Sequence, residues 1–425
     1  MLQTIMQAMK IPDLKKRIGY VFMMFAVYVV GLHIPVPGIN REAMARLFAE
    51  GSIFNLMDAF TGGAFKKYTI FAMGIAPYIN ASIIMQLLTI AVPSLEQLAK
   101  EGESGRKVIS QYTRYLTVIM AVFQAFGMNT FLRRMNVLDT TYFGFVQIVL
   151  TLTAGTAFLM WVGEQITDKG IGNGVSLVIF CGIMASMPVQ VTNTYVALRA
   201  GTINWMNIIL LVLFFAATVM AIVAVNQAQR RIPVQHVKRV VGHKVYGGQS
   251  SYLPLRVNSA GVIPIIFAVS IQLLPSTLAN FGGRGPVGDF LREMSTQLSP
   301  GQTWYAAVLY AAFIIFFTYF YTAVTFNVPD VADNLKKWGS FIPGIRPGKP
   351  TMEYLDRVMT RITLAGAFFL AFIALAQYYI PRITGVTTFG LVGGTSLLIV
   401  VGVALETVQA IEAHLLMRHY DGFIK

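Results

Sequence analysis

Ten apolar stretches separated by short polar connections dominate the chain. A helix rises about 1.5 Å per residue and bilayer hydrocarbon is about 30 Å thick, so one crossing takes roughly 20 mostly apolar residues. On that measure the pattern predicts spans over 18–36, 68–92, 115–132, 142–163, 174–192, 203–225, 259–280, 303–326, 362–380 and 391–413. Residues 51–65 break the pattern. The segment is too short to cross, carries Asn55 and Asp58, starts at Gly51-Ser52 and stops at Gly62-Gly63, which are helix-start and helix-stop signals.

Basic residues decide what that short segment does. If it does not cross, 23 of the 33 Lys and Arg fall on the side of the N-terminus and 10 on the other; if it crosses, the division becomes 12 against 21. The positive-inside rule favours the first arrangement, with both termini cytoplasmic and 51–65 dipping in from outside and turning back. A short helix at membrane depth persists only where it is buried in protein or lines a cavity. The expected organisation is a cytoplasmic segment 1–17, an N-terminal half 18–192, an external connection 193–202, a C-terminal half 203–413 with cytoplasmic loops 227–258 and 327–361, and a cytoplasmic tail 414–425. No small-residue cleavage pattern follows Tyr20 to Val36, so the first span is expected to be retained.

Two pairs of spans resemble each other at an offset of five. Gly74-Ile75-Ala76-Pro77-Tyr78-Ile79 in the second reads like Gly261-Val262-Ile263-Pro264-Ile265-Ile266 in the seventh, and each runs on to Gln-Leu-Leu at Gln86 and Gln272. Gly174-Val175-Ser176-Leu177-Val178-Ile179 in the fifth reads like Gly394-Thr395-Ser396-Leu397-Leu398-Ile399 in the tenth, each with a glycine three residues on. A repeat of five helices, an odd number, implies two halves of inverted topology packed about an axis in the membrane plane. The predicted fold is an all-α polytopic membrane protein, ten helices in two inverted halves around a central pore with a short re-entrant helix. Ile79 then pairs with Ile266 and Ile179 with Ile399. Spacing alone leaves these four open to two readings, a ring around one axis or ordinary apolar positions of any membrane helix.

Composition agrees with a lipid setting: 55% of residues are hydrophobic and 12% charged, with a mean hydropathy of +0.62. The single cysteine, Cys181, cannot close an intramolecular disulfide and reads as a small buried hydrophobe. Within the spans the only Asp, Glu, Lys or Arg are Glu406 and, at its very end, Glu412 in the tenth, which disfavours ion-coupled carriers, whose cargo charge needs partners at mid-membrane. There is no phosphate-binding Lys loop, no His-Glu-x-x-His pair and no Gly-x-Ser-x-Gly elbow. Gly170-Ile171-Gly172-Asn173-Gly174 follows no strand and reads as a tight turn opening the fifth helix. His33, His236, His243, His414 and His419 lack strong metal-ligand spacing. Neither enzyme chemistry, nor a cofactor, nor a metal is expected.

Several longer strings carry a family resemblance along essentially the whole chain. They are Ile34-Pro35-Val36-Pro37-Gly38-Ile39, Phe60-Thr61-Gly62-Gly63-Ala64, Gly74 to Ile79, Lys100-Glu101-Gly102-Glu103-Ser104-Gly105-Arg106, Trp161-Val162-Gly163-Glu164-Gln165-Ile166-Thr167, Ala332-Asp333-Asn334-Leu335-Lys336-Lys337 and Phe341-Ile342-Pro343-Gly344-Ile345-Arg346-Pro347-Gly348. In these the sequence resembles the SecY/Sec61-alpha family of protein-conducting channels. The resemblance implies a bacterial plasma-membrane channel that passes unfolded preproteins and releases apolar segments sideways into membrane lipid. It also implies SecE and SecG as companion subunits, and the SecA ATPase or a ribosome as the drive. A ten-helix secondary transporter of small solutes is the alternative reading.

The resemblance also assigns residues. It makes Ile75, Ile79, Val175, Ile179, Ile266 and Ile399 the pore ring, and Ser52, Ile53, Phe54, Asn55, Leu56, Met57, Asp58, Ala59, Phe60, Thr61 and Gly62 the plug below it. The second and seventh spans become the lateral gate together with the third and eighth, with Pro77 and Pro264 as kink or hinge points. Gln86, Gln124 and Gln272 are read there either as packed amides or as gate hydrogen bonds. The long loops present Arg239, Lys244, Lys336, Lys337, Arg346 and Arg357 to a motor or ribosome, with Arg346 at the position tied to motor engagement. The tip Gly242-His243-Lys244 is less basic than the family often shows.

Overall fold

The computed structural model describes residues 9–40, 42–44, 46, 58, 61–236, 239–241, 244–246, 250–269, 271–272, 290, 293–294, 297–298, 301, 303–387, 389 and 394–421. Helix α1 is Pro12–Gly31, opened by a proline in its first turn, where a missing N–H costs no ladder bond. After the short α2 (Ala64–Lys67), α3 (Ala76–Ala91) runs to Pro93 and turns through 99° into α4 (Pro93–Lys100). Four long helices follow: α5 (Glu103–Arg134), α6 (Tyr142–Lys169), α7 (Gly174–Arg199) and α8 (Trp205–Gln227). In the C-terminal half come α9 (Trp304–Thr325), α10 (Val328–Lys337), α11 (Lys349–Thr384) and α12 (Thr395–Asp421).

Among the described residues, seven helices are long and apolar enough to cross a membrane, or eight if α3 and α4 count as one bent span. Of the other predicted spans, the first is the 20-residue α1. The seventh is helical over 263–269 and 271–272, and its remainder from 273 lies outside the described residues. The second span was expected from residue 68, but its helix starts only at Ala76. Residues 70–75 form turns instead, because Ile70 N–H is drawn off to Ile34 and Gly74 N–H to Phe71. Large apolar side chains such as Phe22, Val30, Phe123, Leu150, Ile209 and Phe316 face outward, as lipid contact requires.

The expected all-α architecture is supplemented by two small sheets in the loops. Strand β1 (Gln229–His236) pairs antiparallel with β4 (Ser250–Arg256), and on its other edge with β5 (Ser340–Phe341). A second ladder joins β2 (Arg239–Val241) to β3 (Lys244–Tyr246). Period-2 burial explains β1: Ile232 and Val234 point inward while their neighbours are exposed. The two long loops thus meet over one apolar cluster of Ile232, Leu255, Val328, Ile342, Leu355 and Met359.

Candidate functional site

The internal repeat recurs at the level of backbone conformation. Gly74 and Gly261 both have positive φ, 57° and 63°, a region open to glycine without a Cβ penalty. Two residues after each glycine a helix begins, with Pro77 and Pro264 at its second position. Both turns close alike: Tyr78 and Ile79 N–H donate to Ile75 C=O, as Ile265 and Ile266 N–H donate to Val262 C=O. This corrects the expected hinge role. A proline in the first turn gives up an N–H that has no intrahelical acceptor, so Pro77 and Pro264 start their helices and do not kink them.

Ile75, Ile179 and Ile399 come together in one buried cluster, at 6%, 7% and 2% exposure. Ile79 and Val175 pack against it. Ile266 is half-buried and stands outside that cluster, whereas Val262, four residues earlier, packs against it. Val262 was missed as a ring candidate although the repeat carried the signal, since it is the counterpart of Ile75. The helices that bring these residues together touch directly, α7 packing on α12, α6 and α1. Gly174 lets α6 and α7 approach so closely that a Cβ there would lie 1.8 Å from the Gly163 carbonyl oxygen.

Of the predicted plug, Asp58, Thr61 and Gly62 are described; Ser52 to Met57, Ala59 and Phe60 lie outside the described residues. Asp58 Oδ1 accepts from Lys66 N–H at 2.8 Å, tying the end of the segment to α2. Gly62 abuts α7, where a Cβ would fall 2.5 Å from the Gly182 carbonyl oxygen. Gly182 is about one turn beyond Ile179. On the other side Thr61 touches Gly74, with 3.1 Å from a built Cβ to Thr61 Cγ2, and Tyr28 Oη donates to Thr61 C=O at 3.3 Å. The described end of the predicted plug therefore lies beside Gly74, the residue before Ile75 of the apolar cluster.

Across the predicted gate, Ile83 of α3 packs against the C-terminal-half cluster that includes Ile265, Phe267, Ile314 and Phe317. Gln86 and Gln124 are half-buried on α3 and α5, which pack together. Gln272 Nε2 donates to the carbonyl of Leu298 within its own half, which makes it a packed amide in this conformation. The Arg114–Glu164 ion pair, 2.6 Å long, joins α5 to α6.

At the loop face Arg346 is exposed, set between Gly344 (φ 81°) and Gly348 (φ 100°). Ile345 N–H closes a turn onto Ile342 C=O, and the buried Thr351 hydroxyl donates to Arg346 C=O at 2.8 Å. The backbone is thus held while the guanidinium has no ion-pair partner among the described residues. Lys336, Lys337 and Arg357 are likewise exposed. Arg239 and Lys244 lie on β2 and β3, two pairs apart in the ladder. Lys100, at the end of α4, bonds Glu96 at 2.6 Å, which raises its pKa above the ordinary lysine value.

Comparison with known proteins places this arrangement. A sequence model of the SecY family matches residues 69–408. The protein translocase subunits SecY of Pseudomonas aeruginosa and Vibrio cholerae are 45% and 46% identical to the chain, each alignment covering 97% of it and 93% and 94% of the relative. The fold matches a solved structure described as a protein conducting channel at a TM-score of 0.65, with 18% identity over 96% of both chains. It also matches Sec61 in a canine ribosome-channel complex at 0.61, with 17% identity over 96% of both. With a family match over most of its length and relatives above 40% identity end to end, the chain belongs to the SecY family.

Proposed function

We propose that the chain is the pore-forming subunit of a channel that passes unfolded secretory proteins across the bacterial plasma membrane and releases apolar segments sideways into lipid. An extended polypeptide crossing about 30 Å of hydrocarbon strips water from roughly nine peptide groups, each costing several kcal/mol unpaired, so it needs a wet route lined by protein. Such a route must be sealed when idle. The observation that carries the proposal is the apolar cluster of Ile75, Ile179 and Ile399 beside the end of the re-entrant segment. An apolar neck excludes ions by dewetting and prefers no substrate side chain. Ile79, Val175, Val262 and Ile266 complete the ring, and residues 52–62 plug it.

Both termini are cytoplasmic in this reading, as the distribution of basic residues supports. SecE and SecG are the companion subunits. SecA or a ribosome docks on the face carrying Arg346, Lys336, Lys337, Arg357, Arg239 and Lys244. The relatives' description as a translocase subunit supports companion subunits in general, and a related channel in a ribosome complex supports docking of a ribosome. A small-solute transporter would need converging polar groups at mid-depth, where the repeat instead places isoleucines.

The test is transport itself. Vesicles holding the chain with its companion subunits and a supplied motor ATPase are expected to protect a signal-bearing preprotein from external protease, dependent on ATP. Vesicles that accumulate small solutes and protect no preprotein would overturn the assignment.

A further inference from the structure

The helices that carry Ile179 and Ile399, α7 and α12, pack on each other but begin differently. The opening N–H groups of any helix have no acceptor within it, and at membrane depth water cannot supply one. Asn173 caps α7 locally. Its C=O accepts from Leu177 N–H at 3.0 Å, and its side chain accepts from Val175 and Ser176 N–H at 3.1 and 3.2 Å. Thr167 of α6 adds an acceptor for Gly174 N–H at 2.9 Å. The cap of α12 is Gly394, whose C=O accepts from Leu398 N–H at 3.2 Å and which has no side chain to offer.

The missing acceptor comes from the preceding helix. Gln377, half-buried on α11, turns Oε1 to the start of α12, where it accepts from Thr395 N–H at 3.3 Å and from the buried Thr395 hydroxyl at 3.2 Å. Gly394 makes the room: a Cβ there would lie 2.5 Å from Oε1 and 2.6 Å from Cβ of Gln377. Gln377 is itself held in place, since α11 packs on α8 and α9 and the neighbouring Tyr378 lies edge-on to the buried Tyr310. Ile399 follows Gly394 by five residues. A helix turns about 100° and rises about 1.5 Å per residue, so a start displaced by one residue would swing Ile399 away from the cluster.

We propose that Gln377 is a positioning residue of the apolar ring, which by capping α12 sets the height and direction at which Ile399 meets Ile75 and Ile179. This rests on the ring assignment made above. A glutamine that only filled space between α11 and α12 could be replaced by methionine, of similar size, without harm to the seal. A cap instead requires an acceptor oxygen, which glutamate keeps in either ionisation state.

The experiment measures resting ion conductance in planar bilayers, and the melting temperature of the detergent-extracted complex, for Gln377→Met and Gln377→Glu. Ile399→Asn is the control for the ring itself, and Leu355→Ala, in the loop cluster, the control for stability lost away from it. Gln377→Met is expected to raise resting conductance about threefold or more, and Gln377→Glu to stay within about twofold of the parent. Gly394→Ala, which pushes the amide away, should leak as Gln377→Met does and replaces it in the comparison if Gln377→Met does not assemble. Equal leakage of Gln377→Met and Gln377→Glu would make packing and not the acceptor the cause, and overturn the proposal. Equal leakage of Leu355→Ala at a matched loss of melting temperature would overturn it as well. A tight Gln377→Met complex beside a leaking Ile399→Asn would overturn it while leaving the ring assignment standing. An Ile399→Asn complex that does not leak would remove the ring assignment, and the positioning role with it.

Discussion

Glycine and arginine positions carry the sharpest consequences at the scale of single residues. A Cβ on Gly155 would stand 2.0 Å from the carbonyl oxygen of Ile70, a backbone atom that cannot rotate away. Gly155→Ala is expected to lower stability by about 1–3 kcal/mol, as overpacking commonly does, and the melting temperature of the extracted complex checks it. Arg346 sits on a backbone clamped by Thr351 and flanked by two positive-φ glycines, and in the proposed reading its exposed fork serves a partner. Arg346→Glu should leave complex yield unchanged and cut ATP-driven export at least tenfold; equal loss of yield and export would make it a folding residue. Arg also offers a planar, bidentate match to carboxylates that Lys lacks, so Arg346→Lys should restore export only in part. Of the four isoleucines that the repeat pairs, Ile79, Ile179 and Ile399 gather at one cluster and Ile266 stands outside it. The left-handed backbone of Tyr68 was not legible, because it is imposed by contacts with Val36 and Asn129, distant in sequence.

Helices read well from apolar length, and their ends read poorly. Trp304–Thr325 falls within a residue of its expected span, since nothing but hydropathy sets it. The second span starts eight residues late, because Tyr68 to Ile75 is held by loop contacts and by the left-handed Gly74. The same local chemistry, seen in sequence as a proline inside an apolar run, suggested a kink; position within the helix decided otherwise. The loop sheet escaped notice because β1 finds its main partner in β4 across the β2–β3 ladder, and its last two residues pair with β5, about a hundred residues on. At the gate, α3 meets the opposite half through Ile83. Cysteines replacing Ile83 and Phe267, one on each side, are expected to crosslink in the idle complex and to block translocation until reduced. Unimpeded translocation through the crosslinked complex would show that these helices do not part.

The molecule as a whole joins two repeated halves around an apolar meeting point and exposes Lys336, Lys337, Arg346 and Arg357 along the loop 327–361. That architecture was foreseeable in outline from hydropathy, charge asymmetry and the five-helix offset. The detailed packing was not, because Val262 joins the cluster only where the halves dock, and Gly62 meets Gly182 only once the distant helices of the N-terminal half are packed. The β-branched residues of the proposed ring are restricted at χ1, which suits a stiff gasket without specific bonds. Polar replacements there should wet the neck, whereas at a lipid-facing site they would only impair assembly. The decisive measurement is resting ion conductance of the reconstituted complex, taken together with complex yield, for Ile266→Asn and Ile399→Asn. The pore account predicts conductance several-fold above the parent at near-normal yield, and unchanged conductance with poor yield would contradict it.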